Sequence, residues 1–233
     1  MSDRPTAPGR PTAIVTGGTS GIGRAVVEEL RRTHEVIAVG RDRVRLDEVG
    51  ALDHVTAVQL DLTDAAGFPA FADSVPELDV LVHNAAIVER LRVEDARAED
   101  WQRAFATNVI APAELSRVFL PHLRRAAGSV VVISSGAARR AVPNSTVYSA
   151  SKHALQAVTD GLRQQVSADG IRVSTVAPGP TDTPLAHTGD RYGPADPDVV
   201  RSEPSTVASA VRFVIDAPRD SQIAELWVRP SVE

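Results

Sequence analysis

Thr16-Gly17-Gly18-Thr19-Ser20-Gly21-Ile22-Gly23 follows a short β-branched run, Ala13 to Thr16, and opens a stretch of helical periodicity that continues through Arg32. In a strand-to-helix turn of this kind, glycines let backbone N–H groups and the positive end of the helix approach a pyrophosphate, because Cβ atoms would otherwise hold it away. The turn predicts a dinucleotide ligand; a tight turn with close helix packing is the plain structural alternative. A nucleoside-triphosphate loop needs Gly-Lys-Ser/Thr at the helix start, and here Gly23 is followed by Arg24 and Ala25.

Outward from that turn, β-branched runs alternate with helical stretches, the pattern of a parallel sheet with helices on both faces. The runs are Ala13 to Thr16, Glu35 to Val39, His54 to Leu60, Asp79 to His83, Ser129 to Ser134, Arg172 to Ala177 and Ile223 to Val228. They predict one α/β, Rossmann-like, doubly wound domain over 12–233 with a parallel sheet of about seven strands. Glu94 to Ala127 is long enough for two helices, and the Pro/Gly/Asp-rich stretch from Pro178 to Pro204 reads as a functional loop. The length, 233 residues with 43% hydrophobic side chains, suits a single core of that size.

Composition removes several classes. Thirty acidic groups against 25 cationic ones give a net charge of −5, and aromatics are only 4%, which argues against a nucleic-acid partner. There is no Cys, so disulfides, thiolate nucleophiles and thiolate metal sites are excluded, and a reducing compartment, the cytoplasm, is expected. No run approaches the ~18 apolar residues of a membrane span, so no membrane partner is expected. Residues 1–11, with no apolar stretch resembling a signal peptide, read as a flexible tail.

A second signal is Tyr148-Ser149-Ala150-Ser151-Lys152. On a helix, residues four apart share a face. Of the 25 cationic side chains 24 are Arg, so the only Lys in the chain stands one turn after one of its two Tyr. A compact ammonium can hydrogen-bond sugar hydroxyls while acting as a point charge beside the phenol, which a planar guanidinium would do with different geometry. A packed Tyr beside an exposed Lys is the plain alternative. A free Tyr titrates near ~10, and a general acid/base works best near the operating pH. Lowering it by ~3 units corresponds to about 4 kcal/mol, which a unit charge about 4 Å away supplies at an effective dielectric of about 20.

With these motifs the chain resembles the short-chain dehydrogenase/reductase family from Thr12 to Pro230. The glycine turn matches its Thr-Gly-x-x-x-Gly-x-Gly pattern and Tyr148 with Lys152 its Tyr-x-x-x-Lys. Asn84-Ala85-Ala86 sits where Asn-Ala-Gly usually follows the fourth strand, Ala86 being a departure. His83 stands where the family commonly has Asn and reads as a packing residue rather than a metal ligand, since no second ligand has suitable spacing; no metal site is expected. The resemblance implies hydride transfer between nicotinamide and a carbonyl or secondary alcohol, with Tyr148 as general acid/base. Lys152 would orient the nicotinamide ribose, and a serine 13 residues before the tyrosine, Ser135, would bind the substrate oxygen. Strand periodicity alone does not separate Ser135 from Ser134. Asn108, forty residues before Tyr148, matches the family's helix asparagine, implied to hold a water contacting Lys152; a helix cap is its plain alternative.

Gly17, Thr19, Ser20, Gly21, Ile22 and Gly23 would cradle the phosphates. The resemblance places Asp61 and Leu62 beside the adenine, with Asp61 alternatively capping a helix through Thr63. It places Asn84 and Ala85 along the cofactor, and Pro178, Gly179, Thr181 and Thr183 beside the carboxamide and phosphates. After the second strand stand Gly40 and Arg41, where an acidic residue would receive the 2′-hydroxyl of NAD; a small residue and a guanidinium favour the extra phosphate of NADP(H). NAD(H) stays possible, with Asp42 as ribose acceptor and Arg41 a solvated charge.

The substrate loop, about 184–203, offers few large apolar groups apart from Leu185 and Tyr192, and a deep steroid pocket is not expected. Arg139 and Arg140 are candidates for an anionic substrate or a plain solvated pair. A 3-oxoacyl-(carrier-protein) reductase activity competes with reduction of a free ketone. A non-catalytic NADP-binding sensor and a methyl-donor protein are the rival classes; the first should lack a catalytic group and the second should carry an acidic residue after the second strand. The family also implies a homodimer or homotetramer.

Overall fold

Seven strands form where the β-branched runs lie: β1 (Thr12–Thr16), β2 (Glu35–Gly40), β3 (Val55–Gln59), β4 (Val80–His83), β5 (Ser129–Ile133), β6 (Arg172–Pro178) and β7 (Glu225–Val228). The structure is a computed structural model that describes residues 9–187 and 198–232. The first eight residues of the expected tail, and residues 188–197 of the expected substrate loop, lie outside the described residues. The helices are α1 (Gly21–Leu30), α2 (Arg43–Gly50), α3 (Phe68–Asp73), α4 (Ala98–Phe105), α5 (Ala111–Ala126), α6 (Thr146–Gln165), α7 (Pro184–His187) and α8 (Pro204–Ile215). The strand boundaries shift where the backbone demands it. β3 starts one residue later than the hydropathy run because His54 has φ +65°, outside the extended region.

All neighbouring strands pair parallel, in the order β3-β2-β1-β4-β5-β6-β7. Strand side chains alternate between the two faces, so one run serves two cores. Ala13, Val15, Val80, Val82, Val131 and Ile133 pack with Val26 and Val27 of α1, Val49 of α2 and Val207 and Val211 of α8. Ile14, Leu81, Val130 and Val132 face the opposite layer, with Phe68 and Phe71 of α3, Leu115 and Phe119 of α5 and Leu155 of α6. Phe71 and Phe119 meet edge to face, centroids 5.4 Å apart. Each such side chain contributes roughly 1.5–3 kcal/mol by leaving water. This two-sided burial is why the strands read as continuous apolar runs rather than as strict alternation.

β1 lies between β2 and β4, so the strand order reverses there. In open α/β sheets that reversal leaves a crevice beyond the carboxyl ends of the strands. The two helices expected between Glu94 and Ala127 are α4 and α5. They join without a loop, through a π-helical turn over Ala106–Ile110 in which Ala111 N–H reaches back to Ala106 C=O. Among the described residues no helix is long and apolar enough to cross a membrane.

Candidate active site

A cleft of about 1370 Å³ opens over the carboxyl ends of the strands. Its floor begins at the glycine turn. Gly17 and Gly21 adopt φ +65° and +52°, left-handed conformations that favour glycine. A Cβ on Gly23 would lie 2.1 Å from the Gly17 carbonyl oxygen, so only hydrogen fits there. The turn is tied to β2 by a hydrogen bond from Gly18 N–H to Val39 C=O, 3.1 Å. From the other side Asn84 donates its amide to the carbonyls of Thr16 (3.0 Å) and Gly17 (3.2 Å). Thr16 Oγ1 accepts the backbone N–H groups of Asn84 and Ala85 and donates to Val82 C=O. The Asn84 side chain therefore builds the turn. Ser20 precedes α1 without its side chain capping the helix, so the first N–H groups of α1 open toward the cleft. Thr183 faces them, its Cγ2 3.1 Å from where a Cβ on Gly21 would sit.

At the β2 end, Gly40 packs under Thr19: a Cβ there would come within 2.7 Å of Thr19 Cγ2. Arg41 lines the cleft, and Gln59 steadies its backbone by donating to Arg41 C=O at 3.1 Å. Asp42 lines the cleft beside Arg41, and its side chain accepts Arg45 N–H at 3.2 Å and so caps α2. Asp61 accepts both the backbone N–H (2.9 Å) and the hydroxyl (2.8 Å) of Thr63; these two bonds hold its carboxyl below its usual range. These bonds close a local turn with Thr63 but cap no helix, the next helical turn being capped by Asp64, and Asp61 and Leu62 both line the cleft.

At the other end, Ser135 follows β5 and lines the cleft together with Tyr148 of α6; Ser135 Oγ accepts Ala137 N–H at 3.1 Å. Ser134 lines the cleft too, but its Oγ is buried without a hydrogen-bond partner. Lys152, 2% exposed, donates to Ile133 C=O at 3.0 Å and lies 5.8 Å from the Tyr148 ring centroid. Burial pushes its ammonium down to about 8. The expected depression of the Tyr148 hydroxyl is not found. Burial raises it above the ordinary phenol value, and the opposing influence is the Ser135 side chain rather than Lys152. The physical reason is the depth of burial of the phenol, while the ammonium places its hydrogen bond on a main-chain carbonyl.

Seventeen of the residues read from sequence line this one cleft, from Gly17, Thr19, Ser20, Gly21 and Ile22 to Pro178, Gly179, Thr181 and Thr183. Two do not. Gly23 lies beneath the turn, and Asn108 is fully buried behind the cleft wall in the π turn. Asn108 caps no helix. Its Oδ1 accepts Ile87 N–H (2.9 Å) and its Nδ2 donates to Ile87 C=O (2.9 Å) and Ser151 Oγ (3.0 Å).

Several cleft residues carry no local sequence signal: Ile87 and Val88 after β4, Val142 to Ser145 before α6, and Trp227 and Arg229 at β7. Arg229 lies over the Trp227 ring at 5.4 Å. Adjacency to Tyr148 in the chain could have flagged Val142 to Ser145; Trp227 reaches the cleft only through the sheet order. Arg139 and Arg140 are not cleft residues, and Arg139 pairs with Glu225 at 2.8 Å. His83 is buried with Nε2 2.9 Å from Ser116 Oγ, as a packing residue should be, and burial holds it neutral with a pKa of about 3. Among the described residues no group of three or more His, Cys, Asp or Glu could hold a metal ion.

The sequence matches the family model for short chain dehydrogenase over residues 11–191. An uncharacterized oxidoreductase of Staphylococcus aureus is 28% identical over 227 residues, covering 94% of this chain and 96% of that protein. Among solved structures, a metagenomic short-chain oxidoreductase in complex with NADP superposes with TM-score 0.82 at 28% identity, covering 96% of this chain and 98% of that one. The closed form of a serine dehydrogenase complexed with NADP+ gives TM-score 0.89 at 26% identity, with 95% and 96% covered. A glycine turn with no room for side chains and a serine-tyrosine pair beside a buried lysine, on a fold shared end to end with these proteins, place the chain in the short-chain dehydrogenase family, as an NAD(P)-dependent oxidoreductase.

Proposed function

We propose that this chain transfers hydride between NADP(H) and a carbonyl or secondary alcohol of a small molecule, with Tyr148 as general acid/base. The observation that carries the reading is the gathering of Ser135, Tyr148 and the buried Lys152 at one end of the cleft. Gly17, Gly21 and the open N–H groups of α1 fit a pyrophosphate, and Lys152 stands where ribose hydroxyls would meet it. When bound, the coenzyme supplies or accepts the hydride at nicotinamide C4.

In the reductive direction Ser135 donates a hydrogen bond to the substrate oxygen while Tyr148 gives it a proton. In the oxidative direction Tyr148 takes that proton back. A tyrosine held above its ordinary value is protonated at neutral pH, which suits the donor role. Lys152 holds its charge on the β5 carbonyl and so fixes the geometry of this end.

NADP(H) is favoured over NAD(H) by the filled space above Gly40, where Thr19 sits against the position an acidic side chain would occupy, and by Arg41 in the cleft wall. The structural neighbours complexed with NADP support the same choice. Replacing Tyr148 with Phe tests the reading. In a panel of ketones followed by NADPH absorbance, turnover should fall by about 10³-fold, while coenzyme binding by fluorescence titration stays near wild type. Comparable turnover in the variant refutes the assignment.

A further inference from the structure

We propose that Ser151 is a positioning residue for proton transfer at Tyr148, acting through a hydrogen-bonded line that runs from the cleft wall at Ile87 through Asn108 to the Tyr148 backbone. The inference rests on Tyr148 being the general acid/base.

Ser151 and Asn108 are both fully buried. Asn108 grips both backbone groups of Ile87, accepting its N–H and donating to its C=O, so the orientation of the amide is fixed and its remaining N–H points at Ser151 Oγ, 3.0 Å away. A hydroxyl has a single proton. Ser151 directs it to Tyr148 C=O at 2.7 Å and accepts from Asn108 with a lone pair. The line therefore has one sense, from amide N–H to hydroxyl to carbonyl, and each bond polarises the next.

The elements it joins are those whose relative placement the chemistry needs. Ile87 is part of the cleft wall, Asn108 lies in the π turn between α4 and α5, and Tyr148 and Ser151 are one turn apart on α6. A π turn inserts a residue into the helical ladder and re-aims what it carries. Here it carries Asn108 to a point where one amide spans the gap between the loop after β4 and α6. A serine that merely bonds the carbonyl three residues back would need no buried partner from another helix; Ser151 has one.

The neighbouring serine makes the contrast. Ser149 is buried as well, but its hydroxyl accepts Val142 N–H at 3.1 Å and so serves the segment before α6.

The test uses the full-length protein with saturating NADPH and a ketone that it reduces. Ser151→Ala should lower kcat about tenfold, the loss equivalent to about one hydrogen bond, with the coenzyme KM within about twofold of wild type. The primary deuterium isotope effect on kcat, with the coenzyme deuterated at the transferred position, should rise as the chemical step becomes slower than release. A merely structural serine would lower the melting temperature and leave both kcat per folded molecule and the isotope effect unchanged, and that result overturns the proposal. Asn108→Ala and the double variant close a cycle; a double variant no slower than the worse single one is expected, and additive losses overturn it. If Ser151→Ala does not fold, Ser151→Cys keeps the volume with a weak donor, and wild-type kcat in that variant likewise overturns the inference. A Tyr148→Phe enzyme that is inactive beside an unaffected Ser151→Ala enzyme sinks this inference alone; an active Tyr148→Phe enzyme sinks the underlying reading.

Discussion

At the coenzyme end of the cleft the surface is made by main chain and by absent side chains: Gly17 and Gly21 in left-handed conformations, Gly23 with no room for a methyl, and Gly40 under Thr19. At the Tyr148 end it is backed by buried side chains that hydrogen-bond main chain: Lys152 on Ile133, Ser151 on Tyr148, Asn108 on Ile87. The first end recognises a ligand by letting it come close, and tolerates nothing added. The second depends on donors and acceptors held in fixed directions, and tolerates nothing removed. Addition should therefore break one end and deletion the other.

The largest expected effect of an addition is at Gly23. Gly23→Ala drives a methyl into the Gly17 carbonyl at 2.1 Å, so the turn must open. Coenzyme affinity measured by fluorescence titration should fall by ~100-fold or more, about 2.7 kcal/mol, with Tyr148 and its partners untouched. Near-normal affinity would show that the turn does not carry the coenzyme.

Next in size is Arg41→Ala, which removes the guanidinium that the proposed 2′-phosphate would meet. The ratio of kcat/KM for NADPH over NADH should fall by ~10- to 100-fold, as a charge-assisted bond of about 1.5–3 kcal/mol is lost. An unchanged ratio would assign Arg41 to solvent and reopen the case for Asp42.

The smallest effect concerns His83, which belongs to neither end. Its pKa is about 3 in the fold, against 6.5 for the free group. A buried histidine held neutral contributes stability that is complete above pH 6.5 and is lost as pH falls toward about 3, because the unfolded chain takes up the proton first. Between pH 6.5 and pH 5 that slope amounts to about 2 kcal/mol. His83→Asn should lack it, so in urea melts the wild type should lose about 2 kcal/mol more than the variant over that interval. Parallel losses would mean that His83 titrates normally.

The contrast between the two ends also separates what the sequence made legible from what it did not. The glycine turn was readable because a backbone that must approach a ligand leaves a local mark, a run of glycines at fixed spacing after a β-branched run. The strands were readable because two-sided burial makes them apolar throughout. Tyr148 and Lys152 stood out because an arginine-rich chain keeps its only lysine there.

Features set by long-range placement left no such mark. Periodicity could not choose between Ser134 and Ser135, since adjacent strand residues point to opposite faces; both line the cleft, and Ser135 is the one whose side chain opposes the rise of the Tyr148 pKa, while Ser134 Oγ is buried without a partner. Nothing local announces the π turn, nor that Asn84 turns its amide onto the glycine loop rather than outward. The rise of the Tyr148 pKa depends on how deeply the whole fold buries it, and a pair spacing read along one helix cannot show where the ammonium finds its hydrogen bond. Arg139, suggestive beside Ser135 in the chain, is held on the edge strand by Glu225, which is 86 residues away.

That edge strand brings an optical consequence. β7 sets the Trp227 indole against Gly136, one residue past Ser135, while the second of the chain's two tryptophans, Trp101, packs on Phe105 of α4. Indole emission overlaps the absorption band of a reduced nicotinamide, so the molecule contains its own energy-transfer donor at the mouth of the cleft. With Trp101 replaced by Phe, the remaining emission would follow ligand entry in real time without any attached dye.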